Sequence, residues 1–482
     1  MEKRTKILAT VGPASDTIEI LEGLITAGVN VFRLNFSHGT HAYHEATLAK
    51  IRQAAKNANK LVGVLQDICG PKIRVGELAH EFELKKGDTI EFSKTAIVGK
   101  KLSDGVYHLS INQPEILKLL KVDEYIYLYD GTIRTKVVSI GESVLARVEN
   151  SGKLSSNKGI NFPTTKLNID VITEKDKSDL EWAVKHNIDF IAISFVQRHE
   201  DVLQVRKILK DFGGKAQLFA KIEKFDAVEN IDKIIEVSDG IMVARGDLGI
   251  EVPYYKVPSI QKQIIKKANA ASKSVITATQ MLLSMAQSET ATRAEISDVA
   301  NAVLDGTDAV MLSEESAIGK NPVIVVETMS ATIEETEKVF PYNKFDSYTT
   351  YMDETDIIAS STVRLAVQLN AEAIMALTSS GKSAKKMARY RPSVNIKAVT
   401  HDEKTARSLT LTWGVEPVMV VDKTSLNLML ATVVKKAVDF GFIDKNKTYV
   451  ATAGYPTGVA GSTNYIRILK RDQIDYYTGM IL

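Results

Sequence analysis

Short apolar runs rich in Val, Ile and Phe recur along the first two thirds of the chain, at residues 6–12, 29–37, 61–68, 190–196, 217–223, 240–246, 274–280 and 309–315. Between them lie segments whose apolar residues repeat at helical spacing, such as 19–27, 201–212, 257–271 and 293–304. A short buried run followed by an amphipathic helix is the rhythm of parallel βα units. Eight such units predict a closed (β/α)8 barrel, a TIM barrel, rather than an open sheet.

The rhythm breaks once, between the third and fourth runs, where about 120 residues intervene, far more than a βα connection needs. There, 81–92, 125–129 and 132–140 alternate apolar and polar positions, punctuated by Lys86-Gly87-Asp88 and Asp130-Gly131. That pattern predicts a β-rich lid, a small β-barrel, inserted at 72–158 and dividing the barrel domain into 1–71 and 159–341. After Phe340-Pro341, polar residues 342–356 read as a linker. A second α/β rhythm follows, with helices at 358–369 and 383–390 and strands at 373–378, 396–400, 418–421 and 448–453. Residues 342–482 are therefore expected to form a separate C-terminal α/β domain.

Composition narrows the class. A chain of 482 residues with 44% hydrophobic and 25% charged positions suits a multi-domain globular protein. The net charge of +2, from 61 basic against 59 acidic residues, gives no field that would gather nucleic acid or membrane. Basic residues Lys385, Lys386, Arg389 and Arg391 are read as a solvated helix face rather than a nucleic-acid patch. The single cysteine, Cys69, excludes an intrachain disulfide framework. It is read as a partly buried apolar residue. No window approaches ~18 uninterrupted apolar residues, and the N-terminal run reads as a strand rather than a signal peptide. A cytoplasmic location is expected.

In (β/α)8 barrels the C-terminal strand ends carry the chemistry. Here those ends hold Arg33, Asn35, Ser37, Asp67, Ser194, Lys221, Glu223, Arg245, Asp247, Thr279 and Glu315, a set too polar for packing alone. Lys221 and Glu223 stand two apart and project to one face. Glu223 and Asp247 are the type and number of carboxylates that hold Mg2+ or Mn2+ while leaving positions for water and substrate oxygens. Lys221 and Arg33 would supply positive charge to a transferring phosphoryl group. Arg245-Gly246-Asp247-Leu248-Gly249 predicts a turn into a short helix whose free N–H groups suit a carboxylate or phosphate.

Several strings together resemble pyruvate kinase. They are Phe32-Arg33-Leu34-Asn35-Phe36-Ser37-His38-Gly39, Gln66-Asp67 with Gly70-Pro71-Lys72-Ile73-Arg74, Lys158-Gly159-Ile160-Asn161, Lys221-Ile222-Glu223, 244–250, Ala278-Thr279-Gln280-Met281-Leu282 and 292–313. The resemblance spans essentially the whole chain. It implies transfer of the phosphoryl group of phosphoenolpyruvate to ADP, giving pyruvate and ATP, the last step of glycolysis. It also implies that Glu223 and Asp247 bind the divalent metal and that Lys221 and Arg33 meet the phosphoryl group. Gly246, Asp247 and Thr279 would hold the substrate carboxylate, and Asn35, His38, Arg74 and Lys158 the nucleotide. The resemblance leaves the enolate's proton donor open among Thr279, Ser313 and Glu315, acting directly or through water.

Three positions after the third strand depart from the family string. Asn35, Ser37, Asp67 and the carbonyl of Ile68 match the family's activating K+ site, but Lys72 replaces a Glu, a swap that in the family accompanies independence from K+. An ammonium near the phosphates would stand in for the ion. Glu315 aligns with the family's glutamate, and Glu314 is extra and has no assigned role.

In the C-terminal domain, Thr378-Ser379-Ser380-Gly381-Lys382-Ser383 fails as a Walker A motif because Ala376 occupies the first glycine position. It still suits a phosphate cradle ahead of a helix. The resemblance implies an allosteric site at Thr378, Ser380, Gly381, Lys382 and Ser383, with Gly461, Ser462 and Thr463 nearby. A sugar phosphate or nucleotide monophosphate would be the activator, and a homotetramer the assembly. The rival readings are a metal-dependent aldolase or lyase of pyruvate enolate and an inactive effector-binding protein. The insertion argues against the first, and the intact strand-end set against the second.

Overall fold

In the computed structural model the described residues are 3–167, 169–344, 353–421, 426–455 and 463–481. All eight expected barrel strands are present, as Lys6–Thr10, Val31–Asn35, Gly63–Asp67, Phe190–Ile193, Gln217–Ile222, Gly240–Ala244, Ser274–Ala278 and Ala309–Leu312. Each pairs in parallel with its sequence neighbours, and the eighth closes on the first through Lys6 opposite Ala309. Several strands, including Gly63–Asp67 and Ser274–Ala278, are buried at every position. Continuous apolar runs are what a strand covered on both faces requires. The surrounding helices are bounded by local signals. Helix Arg293–Asp305 opens on a Thr292/Glu295 capping box and closes on Gly306 at φ 94°.

The insertion forms a seven-stranded sheet with Ile160–Asn161 at one edge and Lys100–Ser103 at the other, plus a two-stranded ribbon. Segment 74–78 bridges the two edges, with Arg74 opposite Gly159, Val75 opposite Ile111 and Leu78 opposite Gly99, in keeping with the small barrel that the sequence suggested. The insertion has its own apolar core, running from Ile73 to Leu167. The alternating stretch 81–92 forms two strands, Phe82–Leu84 and Thr89–Ser93, divided by the Lys85–Asp88 turn at the expected Lys86-Gly87-Asp88 punctuation. The C-terminal domain is a five-stranded sheet in the order Val415–Val420, Asn395–Thr400, Ala373–Leu377, Tyr449–Gly454 and Thr463–Leu469. Only the last strand is antiparallel. Of the expected linker, 345–352 lies outside the described residues, and Glu354–Gln368 is already a helix.

The C-terminal domain seals the barrel from below. Leu411 is buried within the barrel's inner cluster, with Leu8, Leu65, Phe190 and Phe219. Arg391, expected on a solvated face, is 1% exposed and bonds Asp308, Asn269 and the Gly306 carbonyl at 2.6–3.0 Å. Arg389 is buried as well, reaching the Ala270 carbonyl. That expectation is overturned. Lys385, Arg389 and Arg391 reach side-chain and backbone oxygens of the barrel domain, whereas Lys386 pairs with Asp353 and Asp356 within its own domain. No helix among the described residues is long and apolar enough to cross a membrane.

Candidate active site

Lys221 lies at the end of the fifth strand, almost fully buried. Its Nζ meets Glu223 Oε1 at 2.8 Å, Ser194 Oγ at 2.8 Å and Asp67 Oδ1 at 3.1 Å. Burial alone would lower its pKa, but the carboxylates of Asp67 and Glu223 outweigh burial and hold the ammonium charged well above its usual range. Asp67, at the end of the third strand, receives both Arg33 Nε at 2.8 Å and a second Arg33 nitrogen at 2.7 Å on Oδ2. Burial pushes its carboxyl up, but Lys221 and Arg33 more than reverse that and hold it below the usual range. Arg33 is fixed further by Thr10 Oγ1 at 3.0 Å.

Glu223 is buried, with Oε2 accepting from the Phe195 N–H at 2.8 Å. Phe195 achieves this with φ at 59°, a left-handed conformation that costs a non-glycine residue about 1–3 kcal/mol. Asp247 sits in the first turn of helix Arg245–Glu251, where a carboxylate favours the helix dipole. Burial, with Glu223 adding, pushes its carboxyl up to about 6, while Lys221 and Lys72 pull the other way. A buried carboxylate pushed up by a second carboxylate beside it marks a site in want of a cation. Among the described residues no cluster of three or more His, Cys, Asp and Glu side chains is placed to hold a metal. A pair of carboxylates nevertheless fits Mg2+ or Mn2+, which keep water and substrate oxygens in their remaining positions.

The helix carrying Asp247 is anchored at its start. Gly246 N–H donates to Thr279 Oγ1 at 2.9 Å, and that hydroxyl donates to the Ala278 carbonyl at 2.6 Å. Arg245 reaches the Thr279 carbonyl and both oxygens of Asp298, each at 2.7 Å. Thr279 and Gln280 have φ values of 70° and 54°, a second strained turn beside the site. Gly246 and Asp247 face Lys72 and Asp130 of the lid across a cleft of ≈ 950 Å3. Lys72 Nζ is 3.9 Å from Asp130.

The remaining expected residues spread outward from this centre. Asn35 Oδ1 accepts from Ser37 N–H, and the Ile68 carbonyl accepts from Ser194 Oγ at 2.7 Å. His38 is exposed, with its carbonyl on the His44 ring. Arg74 stands where the chain enters the lid, and Lys158 lies two residues before the lid's edge strand Ile160–Asn161. Arg74 bonds the Asn157 carbonyl, and Lys158 lies 4.2 Å over the Tyr129 ring. Glu315 is fully buried, with both oxygens on the N–H groups of Leu282 and Ser313. Glu314 is exposed. In the C-terminal loop, Gly381 at φ 79° donates to Thr378 Oγ1 at 3.0 Å, Ser383 is buried and Lys382 is exposed. Thr463 begins the last strand, whereas Gly461 and Ser462 lie outside the described residues. Sequence reasoning missed Thr10, the Arg245–Asp298 pair and the buried ion pair Lys224–Glu251. Each depends on contacts between distant segments.

Comparison with known proteins bears on the same features. A family model for the pyruvate kinase barrel domain matches residues 2–326, and one for the pyruvate kinase alpha/beta domain matches 356–469. The pyruvate kinase of Clostridium acetobutylicum is 43% identical over 472 residues, covering 97% of this chain and 99% of that one. That of Staphylococcus epidermidis is 42% identical over 480 residues, covering 98% and 81%. A solved pyruvate kinase from Cryptosporidium parvum superposes with a TM-score of 0.91 at 36% identity, covering 97% of this chain and 96% of that one. A closed barrel with charged strand ends, an inserted β-lid and matches over nearly the full length lead to one conclusion: the chain belongs to the pyruvate kinase family, phosphotransferases that act on phosphoenolpyruvate and ADP and use a divalent metal.

Proposed function

We propose that Lys221 is the residue on which phosphoryl transfer turns, with Arg33 beside it. The observation that carries this is its three-way contact with Asp67, Ser194 and Glu223, which keeps a buried ammonium charged at the mouth of the barrel. In the reaction the phosphorus–oxygen bond to the enol breaks and a new one forms to the terminal phosphate of ADP. The negative charge left on the enolate oxygen meets Lys221, and the charge on the moving phosphoryl oxygens meets Lys221 and Arg33. Glu223 and Asp247 would hold the divalent metal, Mg2+ or Mn2+, which when bound would supply Lewis-acid stabilisation of developing negative charge. The substrate carboxylate takes over the Gly246 N–H that Thr279 Oγ1 now occupies, with Asp247 N–H and the Thr279 hydroxyl, turned from the Ala278 carbonyl, completing its cradle. Protonation of the enolate at its methylene carbon is assigned to the side of Thr279 and Ser313. Glu315 braces that side from beneath. Asn35, His38, Arg74 and Lys158 line the path of the nucleotide between barrel and lid.

The test is ADP-dependent pyruvate formation from phosphoenolpyruvate with Mg2+ in the protein and in Lys221→Met. The expected loss in kcat is at least 100-fold, the scale of removing one preorganised charge donor. Activity that survives the substitution refutes the assignment.

The loop at Thr378, Ser380, Gly381, Lys382 and Ser383, with Gly461, Ser462 and Thr463, is proposed to take a sugar phosphate or a nucleotide monophosphate as activator in a cytoplasmic homotetramer. The turn closed by Thr378 and Gly381 ahead of an exposed Lys382 supports that reading. Activation by sugar phosphates that persists in Thr378→Ala/Lys382→Ala would move the site elsewhere.

A further inference from the structure

Behind the site lies a buried polar contact that phosphoryl transfer does not itself require. Glu251, 4% exposed, ends the helix that begins with Arg245 and carries Asp247 one turn earlier. Its Oε2 meets Lys224 Nζ at 3.0 Å, and Lys224 follows Glu223 directly in the chain. Its Oε1 accepts from Asn161 Nδ2 at 3.0 Å. Asn161 belongs to the edge strand of the lid sheet, where it stands opposite Tyr127. One carboxylate therefore touches three elements: the helix of Asp247, the segment trailing Glu223, and the lid.

The seam around it, bordered by Pro71, Ile73, Phe162 and Phe195, encloses a void of only ≈ 20 Å3. That is room for about one water molecule, so little solvent stands ready to replace these bonds. A buried ion pair gains little stability over an apolar pair of equal volume. Its use here is geometric.

We propose that Glu251 is a positioning residue that gears the lid to the divalent-metal site, so that reorientation of the lid edge at Asn161 is felt at Asp247 and Glu223. The proposal rests on the assignment of those two carboxylates as metal ligands. A lid that swings about its two crossings carries Asn161 with it. The Asn161–Glu251 bond then either breaks, freeing the end of the helix, or draws Glu251 along and turns the helix that bears Asp247. Lid position and metal affinity become linked in both directions.

The experiment titrates the full-length protein, Asn161→Ala, Glu251→Gln and the double variant with Mn2+. The free ion is followed by its electron paramagnetic resonance signal, and each variant's thermal midpoint is recorded alongside. Asn161 has no hydrogen bond to either carboxylate assigned to the metal. A role confined to lid folding would therefore shift the midpoint and leave Mn2+ affinity alone. Gearing predicts about tenfold weaker Mn2+ binding in each single variant. It also predicts no further loss in the double variant, because both substitutions cut one chain of contacts.

Wild-type affinity in Asn161→Ala, or losses that add in the double variant, overturns the proposal. If Glu251→Gln does not fold, Asn161→Ala decides the matter together with Asn161→Asp, whose carboxylate facing Glu251 is expected to weaken Mn2+ binding at least as much. Glu223→Gln and Asp247→Asn separate the two claims. If they bind Mn2+ as the wild type does, the ligand assignment fails and the gearing falls with it. If they lose the metal while Asn161→Ala does not, only the gearing fails.

Discussion

Asp67 shows how tightly single residues are committed at this site. One of its oxygens takes two nitrogens of Arg33, and the other takes Lys221 and Ser194. Two further oxygens of the family's K+ position are engaged as well, Asn35 Oδ1 by Ser37 N–H and the Ile68 carbonyl by Ser194 Oγ. Lys72, meanwhile, faces Asp247 across the cleft and acts on its charge. These contacts support the proposal that Lys72 supplies the positive charge that a monovalent ion would bring. Activity in tetramethylammonium buffer is expected to equal that in K+, and a rise on the order of a hundredfold on adding K+ would defeat the idea. Lys72→Glu is expected to create the K+ requirement.

Among the elements, helix Arg245–Glu251 is short, and its placement depends on what holds its ends. The Arg245–Asp298 fork ties its start to helix Arg293–Asp305 and to the end of the seventh strand. Asp298→Ala removes one side of a charge-assisted pair without touching substrate. The expected outcome in steady-state kinetics is a rise in KM for phosphoenolpyruvate of about tenfold, equivalent to about 1.4 kcal/mol, with kcat much less affected. A kcat loss with unchanged KM would assign Asp298 a different role.

The same scale shows what the chain made legible. Barrel strands were readable because strands buried on both faces need unbroken apolar runs, and Lys221 with Glu223 because i and i+2 share a face. Strand Lys100–Ser103 was not, since all four of its residues are exposed at a sheet edge and its single apolar residue, Leu102, makes no alternation. Val144–Val148 does alternate buried and open positions, so its signal was present and overlooked. Glu251 could not be placed from sequence, because its partners lie 27 and 90 residues away. Arg391 was misread for the same reason, its carboxylate Asp308 standing 83 residues upstream in another domain.

Across the whole molecule, the contact between barrel and C-terminal domain holds a titratable group in an uncomfortable place. Lys385, on helix Lys382–Ala388, donates to Gln217 Oε1 of the fifth strand. Burial lowers its pKa to about 8, with Asp239 opposing and Lys273 adding to the effect. The folded value lies below the unfolded one, near 10.5, so between those limits the unfolded chain binds more protons and stability rises with pH. The stabilisation is complete above about 10.5 and lost as pH falls through 8. Denaturant midpoints measured from pH 7 to 10.5 are expected to climb less steeply in Lys385→Met than in the wild type. Parallel profiles would remove Lys385 from that account.

Leu411 gives the contact between these domains a consequence in time. Synthesis runs from the first residue onward, and the eighth strand is complete at Leu312, yet the side chain that fills the barrel's inner floor arrives only at position 411. On the ribosome the barrel has to wait with an apolar opening beneath it, a state that invites chaperones or aggregation. A chain stopped at 341 is therefore a poor miniature enzyme, because it is a vessel delivered before its base.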